Sequence, residues 1–221
     1  MSESTRPPRR RYDATSRRAQ AALTRARVLE AAHRVFLARG YAGATIPRIA
    51  SEAGVAVETI YRAAPGKAGL LAAVVESALA GGTVNAELPV EQRPGIRRVI
   101  EEKDPARKLH LYAATQPGVY ARAGALLQVL DEAASSVPEL AQVREGYAAR
   151  RLEGMRQLAT QLAERGSLRG ELSTQQAADI LVTVCSRANY DSLVTERGWS
   201  PADYRDWVAD TLVRTLLAAH A

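Results

Sequence analysis

Between Thr24 and Arg39 the apolar residues Val28, Ala32, Val35 and Phe36 return at helical spacing, and Gly40 stands where such a helix would stop. The pattern predicts an amphipathic helix over that span. Thr45 then precedes Ile46, Ile49, Ala50 and Ala53, a stripe at i, i+3, i+4 and i+7 with an N-cap residue ahead of it, so a short second helix should end at Gly54. Val55 to Arg62 carries a third, closed by Ala63, Ala64 and Pro65, because proline disfavours helical geometry in the residue before it. From Lys67 to Ala80, the run Leu70, Leu71, Val74, Val75 and Leu79 predicts a fourth helix, terminated by Gly81 and Gly82.

The next segment is punctuated by Pro89, Pro94 and Pro105, leaving room for one short helix around Ile96 to Glu102. Asp104-Pro105 supplies an N-cap and first-turn pair, and Pro117-Gly118 should divide the helical stretch after it into two helices at about 105–116 and 118–134. A long helix is expected from Pro138 to Gly166. Ser173 with Gln176 has the spacing of a capping box and opens a helix with an apolar side of Ile180, Leu181, Val184 and Cys185, ending before Gly198. Ser200-Pro201 opens the last, whose Trp207, Val208, Leu212, Val213, Leu216 and Leu217 are too much apolar surface for a solitary terminal helix, so the last two helices are expected to meet a partner subunit. No strand-like alternation of useful length and no repeat of 20–50 residues interrupts this all-α pattern.

Charge placement adds a function class. The formal charge is +6, but residues 1–75 hold 13 Lys and Arg against 5 Asp and Glu, while the remainder is slightly acidic. A localised basic region suits a polyanion, since each neutralised phosphate releases condensed counterions. Part of it is an arginine-rich stretch, Arg6 to Arg18, that precedes clear apolar periodicity and is expected as a disordered arm over residues 1–20. Cys185 is the single cysteine, so no intramolecular disulfide can form, and His33, His110 and His220 lack metal-ligand spacing. Neither a metal nor a cofactor is expected. With no signal-like segment and no run of about 18 apolar residues, a cytoplasmic protein without membrane association is expected.

The segment Thr45-Ile46-Pro47-Arg48-Ile49-Ala50-Ser51-Glu52-Ala53-Gly54-Val55-Ala56-Val57-Glu58-Thr59-Ile60-Tyr61, with Lys67 six residues on, has the spacing of a helix-turn-helix. Ala50 is small enough for close helix approach, Gly54 can take the positive φ of the turn, and Val55 and Ile60 can pack beneath the third helix. These residues resemble the TetR family of bacterial repressors, through Ile49-Ala50, Ala53-Gly54-Val55, Thr59-Ile60-Tyr61, and Lys67 with Leu70. The resemblance in motif covers about residues 24–75, and beyond it only the architecture matches.

The resemblance implies a helix-turn-helix domain at 21–66 and a larger helical domain at 67–221 that binds a small molecule and forms a homodimer through its last two helices. It also implies double-stranded operator DNA as partner and a repressor released by an inducer. Thr45 would meet phosphate at the N-terminus of the second helix, Thr59 and Tyr61 would give hydroxyl contacts, and Lys67 would hold a phosphate. Arg48, Val57, Glu58 and Arg62 are the outward positions, the last three being candidates for base readout. Three positions depart from the family: Ala56 where a hydroxyl residue often caps, Ala64 where an aromatic residue usually packs, and Ala68 where an acidic residue commonly follows the lysine. For the ligand pocket, Tyr112, Gln116, Tyr120, Met155, Cys185 and Asn189 are the candidates, Asn189 foremost because an amide in an apolar stripe needs a partner.

Two other readings stand beside this one. A helical hydrolase or transferase finds no phosphate loop, nucleophile elbow or metal cluster, and the adjacent carboxylates Glu101-Glu102 and Asp131-Glu132 point apart on a helix. A ligand-binding or adaptor dimer without operator-specific binding would share every element above and differ only in its affinity for DNA.

Overall fold

A computed structural model of the chain describes residues 11–218, which are helical throughout apart from connecting turns and one isolated bridge. Two compact units divide between Val74 and Val75. The first holds α1 (Arg11–Gly43), α2 (Ile46–Ala53), α3 (Val57–Ala63) and the first half of α4 (Gly66–Ala80). The division thus falls inside α4, later than the boundary expected at 66.

Helix α1 begins well before Thr24. The stretch from Arg11 to Leu23 is dominated by Ala, Arg and Gln, which lose little side-chain freedom in a helix. Thr24, where the apolar period begins, is a mid-helix residue whose hydroxyl donates to the Gln20 carbonyl at 2.9 Å. Residues 11–20 of the expected disordered arm are accordingly helical, and residues 1–10 lie outside the described residues. The stop at Gly40 falls where the sequence predicts it: its φ of 62° and ψ of −177° break the helix before a last turn to Gly43.

Helix α2 is capped by Thr45, whose hydroxyl accepts from the Arg48 N–H at 3.3 Å, and ends on Gly54 at φ 62°, with the Gly54 N–H shared between the Ala50 and Ser51 carbonyls. A side chain at Gly54 would be strained and would meet Nη2 of Arg27 at 3.3 Å. Beneath these helices Val28, Ala31, Ala32, Phe36, Ile49, Ile60, Leu70 and Leu71 form the buried core of the unit.

The second unit continues α4 and adds α5 (Thr83–Ala86), a 3-10 turn at Val90–Gln92, α6 (Pro94–Glu101), α7 (Pro105–Ala134), α8 (Pro138–Glu164), α9 (Thr174–Val184), α10 (Arg187–Tyr190), a π-helical turn at Asp191–Glu196 and α11 (Pro201–Leu216). The unit departs from the sequence pattern at three places. Helix α7 runs unbroken through Pro117, because the face Leu109, Tyr112, Ala113, Gln116, Tyr120 and Ala123 is buried on both sides of the proline and outweighs its cost of about 3 kcal/mol. The helix expected from Ser173 towards Gly198 divides at Cys185, where Ser186 caps a new start and the Asn189 side-chain amide donates to the Thr183 and Val184 carbonyls at 2.8 and 3.2 Å. An antiparallel bridge joins Leu168 to Leu217, flanked by Arg169 N–H to Leu216 O at 2.9 Å and Ala218 N–H to Ser167 O at 3.0 Å.

The capping residues expected at Asp104, Ser173 and Ser200 all cap, the last two as reciprocal boxes with Gln176 and Asp203. Helix α11 places Tyr204, Val208, Leu212 and Leu216 in the core shared with α7, α8 and α9. Most of the apolar surface that the sequence left without a home is thereby buried within the chain itself. Ile180, Val182, Val184, Trp207 and Val213 remain only partly covered.

Candidate nucleic-acid interface and ligand cavity

The outward side of the helix-turn-helix is set by what the inward side must bury. Ile46, Ile49, Ala50 and Ala53 take the core side of α2 and Ile60 that of α3, which leaves Thr45, Arg48, Glu58, Tyr61 and Arg62 exposed and Val57 and Thr59 half-buried. Tyr61 keeps 57% of its surface exposed, unusual for so large a ring. Arg62 leans back along α3 and donates from Nη2 to the Thr59 hydroxyl at 2.9 Å. Thr45 spends its side-chain oxygen on the Arg48 N–H, so its free capacity is its hydroxyl proton and its position at the helix start. Ala56 gives α3 no side-chain cap, an omission that costs about 1 kcal/mol relative to a hydroxyl residue. Ala64 is buried, and its N–H closes α3 on the Ile60 carbonyl at 3.0 Å.

Lys67 stands apart from the other candidates. Its ammonium donates to the Tyr41 and Ala44 carbonyls at 2.8 and 3.1 Å and lies 4.1 Å from the Tyr41 ring centroid. It ties the start of α4 to the turn before α2. Three further arginines are used within the first unit, and only the i,i+4 pair of Arg34 with Glu30 has a signal in the sequence pattern. Arg25 donates to the Ala63 carbonyl, Arg27 to the Ala53 carbonyl at 2.7 Å, and Arg34 pairs with Glu30 and Glu52 at 3.0 Å each. The first two satisfy carbonyls at the ends of α3 and α2, where backbone groups lack helical partners.

The second unit encloses a cavity of about 710 Å³, within the range of small-molecule sites. Its apolar wall includes Ile96, Val99, Ile100, Val119, Met155 and Leu158. Of the sequence candidates, the structure brings Tyr112, Gln116 and Met155 to this wall and leaves out Tyr120, Cys185 and Asn189. Each exclusion has a physical reason. The Tyr120 hydroxyl donates to the Cys185 carbonyl, the Cys185 side chain is fully buried with burial pushing its thiol up to about 12, and Asn189 is the structural amide that bridges α9 to α10. Burial likewise raises the Tyr112 hydroxyl well above its usual value.

Sequence reasoning missed the cations of the wall, Arg93, Arg122, Arg150 and Arg151. Arg151 was the one that could be found, since it precedes Met155, Leu158 and Leu162 at i+4, i+7 and i+11 and so lies on the buried face of α8. Arg93 and Arg150 converge on Glu76 of α4, at 2.6 and 3.3 Å. Among the described residues no single helix is long and apolar enough to cross a membrane.

Comparison with known proteins places residues 28–74 in the family described as bacterial regulatory proteins, tetR family. The fold matches NalD of Pseudomonas aeruginosa, the secondary repressor of the MexAB-OprM multidrug efflux pump, with a TM-score of 0.70 at 20% identity over 91% of this chain and 100% of that one. The regulator FadR from Bacillus subtilis in complex with stearoyl-CoA matches with 0.67 at 19% identity, covering 85% and 96%. A regulator from Saccharomonospora viridis in complex with choline matches with 0.67 at 19% identity, covering 88% and 98%. No curated relative matches the sequence.

Proposed function

We propose that the chain is a TetR-family transcriptional regulator and not an enzyme, a homodimeric repressor released from a palindromic operator by a small molecule held in the cavity of the second unit. The observation that carries this is the exposed face of α2 and α3. Thr45, Arg48, Val57, Glu58, Thr59, Tyr61 and Arg62 share it, and among the described residues their side-chain hydrogen bonds to the fold are confined to the Thr45 cap and the Arg62–Thr59 contact along α3. Arg48 and Thr45 serve the phosphates, and Val57, Glu58 and Arg62 on α3 reach base edges in the major groove. Lys67 contributes charge near the phosphates and fixes the helix-turn-helix to α4 through its two carbonyls.

The partly covered residues Ile180, Val182 and Val184 on α9 and Trp207 and Val213 on α11 support a dimer through the last long helices. Two copies related by a twofold axis read two half-sites separated by whole helical turns. Coupling to the cavity runs along α4, which starts beside the helix-turn-helix at Lys67 and carries Glu76, the carboxylate that joins the cavity arginines Arg93 and Arg150. A ligand that binds better when this helix has shifted lowers operator affinity, and one without such preference changes nothing. The fold neighbours with stearoyl-CoA and with choline support a bound small molecule of either charge.

Selection from random duplex DNA with the purified protein at about 0.15 M salt tests the reading. Enrichment of an inverted repeat, bound by a dimer, is the expected result. Binding that is salt-sensitive but blind to sequence would instead leave a ligand-binding dimer without an operator.

A further inference from the structure

The cavity wall carries positive charge that the protein does not neutralise. Arg151 donates from Nη1 to the Tyr120 hydroxyl at 2.7 Å and from Nη2 to the Cys185 carbonyl, both neutral acceptors, and among the described residues it pairs with no carboxylate. Behind the wall, the fully buried Lys108 donates to the carbonyls of Val99 and Ile100 at 2.8 and 3.1 Å and to Oε1 of Gln161 at 2.8 Å, again neutral in every case. Those three acceptors belong to residues that themselves line the cavity. Desolvation pulls the Lys108 ammonium below its usual pKa, with Arg165 adding to the effect.

Of the carboxylates at or behind the wall, Glu91 is exposed on the 3-10 turn and the other two are engaged with arginines other than Arg151. Glu76 is shared between Arg93 and Arg150, and Glu153 turns to Arg156 at 3.9 Å on the exposed side of α8. Arg93 retains a buried Nε–H with no hydrogen-bond partner among the described residues. Cations held in a low-dielectric wall without counter-charge are costly, and they repel a cationic guest while leaving a neutral one without electrostatic gain.

We infer that the cavity takes an amphipathic anion, with an apolar body against Ile96, Val99, Ile100, Met155 and Leu158 and an anionic group held by the Arg151 guanidinium. The inference rests on the proposed ligand-binding role of this cavity and deepens it by fixing the charge of the ligand. Arginine suits the task because its planar fork can give further N–H groups to an anion while two remain on Tyr120 and Cys185.

The test uses three ten-carbon probes that differ only in head group: decanoate, decan-1-ol and decyltrimethylammonium. Their affinities for the full-length protein are measured by calorimetry at about 0.15 M salt. Decanoate should bind roughly tenfold or more tighter than the alcohol, as expected for a charge-assisted contact in a partly desolvated site, and the ammonium should bind weakest. Arg151→Gln should remove that margin for decanoate and leave the alcohol within about twofold. An alcohol or ammonium that binds as well as decanoate, a series in which none binds, or an Arg151→Gln loss equal for carboxylate and alcohol overturns the assignment. If Arg151→Gln fails to fold, the ranking of the three probes on the parent protein still decides. Binding is read without DNA, so a failed operator selection and a failed ligand ranking are separate results.

Discussion

Arg25, Arg27, Arg34 and Lys67 are held by backbone carbonyls or by carboxylates within the first unit. The basic excess of residues 1–75 is therefore partly structural, and Arg48 and Arg62 are the exposed cations that α2 and α3 offer to the proposed DNA face. Charge was legible in the sequence, but its assignment was not, because an arginine that caps a helix and one that meets phosphate have the same composition. His33 shows the opposite case, a residue whose titration depends on the fold. Partial burial, and then Arg34 beside it, lowers its pKa from 6.5. The folded chain thus releases this proton more readily than the unfolded one, so stability is full above about pH 6.5 and declines as the pH falls from there through the lowered folded value. His33→Gln should flatten that decline, measured as the urea midpoint at about pH 7.5 and pH 5.5, with little change at the higher pH.

At the scale of elements, the helix-turn-helix was readable because its chemistry is local. Thr45 as cap, Gly54 at positive φ and Ile49, Ala53 and Ile60 as core positions all act within a few residues of one another. The start of α1, the continuity of α7 and the break after α9 were not readable. Each turns on packing or on a hydrogen bond across a turn, as with the buried face around Pro117 and the Asn189 amide that bridges Thr183 and Val184 to α10. Tyr61 on α3 and Lys67 at the start of α4 make a paired prediction about the proposed DNA face. Tyr61→Phe should weaken operator binding by roughly 0.5–1.5 kcal/mol, the net value of one hydrogen bond, with an unchanged melting temperature, since the substitution keeps the ring and Tyr61 is largely exposed. Lys67→Ala should weaken operator binding and also lower the melting temperature, because it releases the Tyr41 and Ala44 carbonyls from α4. Gel-shift titration beside thermal melting separates the two, and a Lys67→Ala protein of parental stability would show that the tie to the turn contributes nothing.

For the whole molecule, the junction of interest is α4, which begins in one compact unit and ends in the other. Glu76 lies on its second half and holds Arg93 and Arg150 of the cavity wall, and the Arg93 and Glu76 side chains are only 14% and 29% exposed. Glu76→Gln leaves both arginines to the cavity and loosens their hold on the helix. The variant should bind decanoate at least as tightly as the parent, yet show a smaller ratio between operator affinities measured with and without it. Equal ratios in parent and variant would mean that coupling does not pass through this pair.

By itself the sequence determined the helical class, the helix-turn-helix and its outward face, the capping box at Ser173 and the helix start at Ser200, because periodicity and capping are properties of short segments. Tyr112, Gln116 and Met155, three of its pocket candidates, line the cavity for a similar reason, since each lies on the buried stripe of its helix. Only the tertiary structure decided which buried polar groups were already satisfied. Asn189 and the Tyr120 hydroxyl turned to backbone carbonyls at the C-terminal end of α9, Lys67 turned to the Tyr41 and Ala44 carbonyls ahead of α2, and Arg151 and Lys108 came to rest against neutral acceptors beside an apolar cavity. Hydrogen-bond satisfaction is settled by partners that tertiary packing brings together, and helical periodicity carries no record of them.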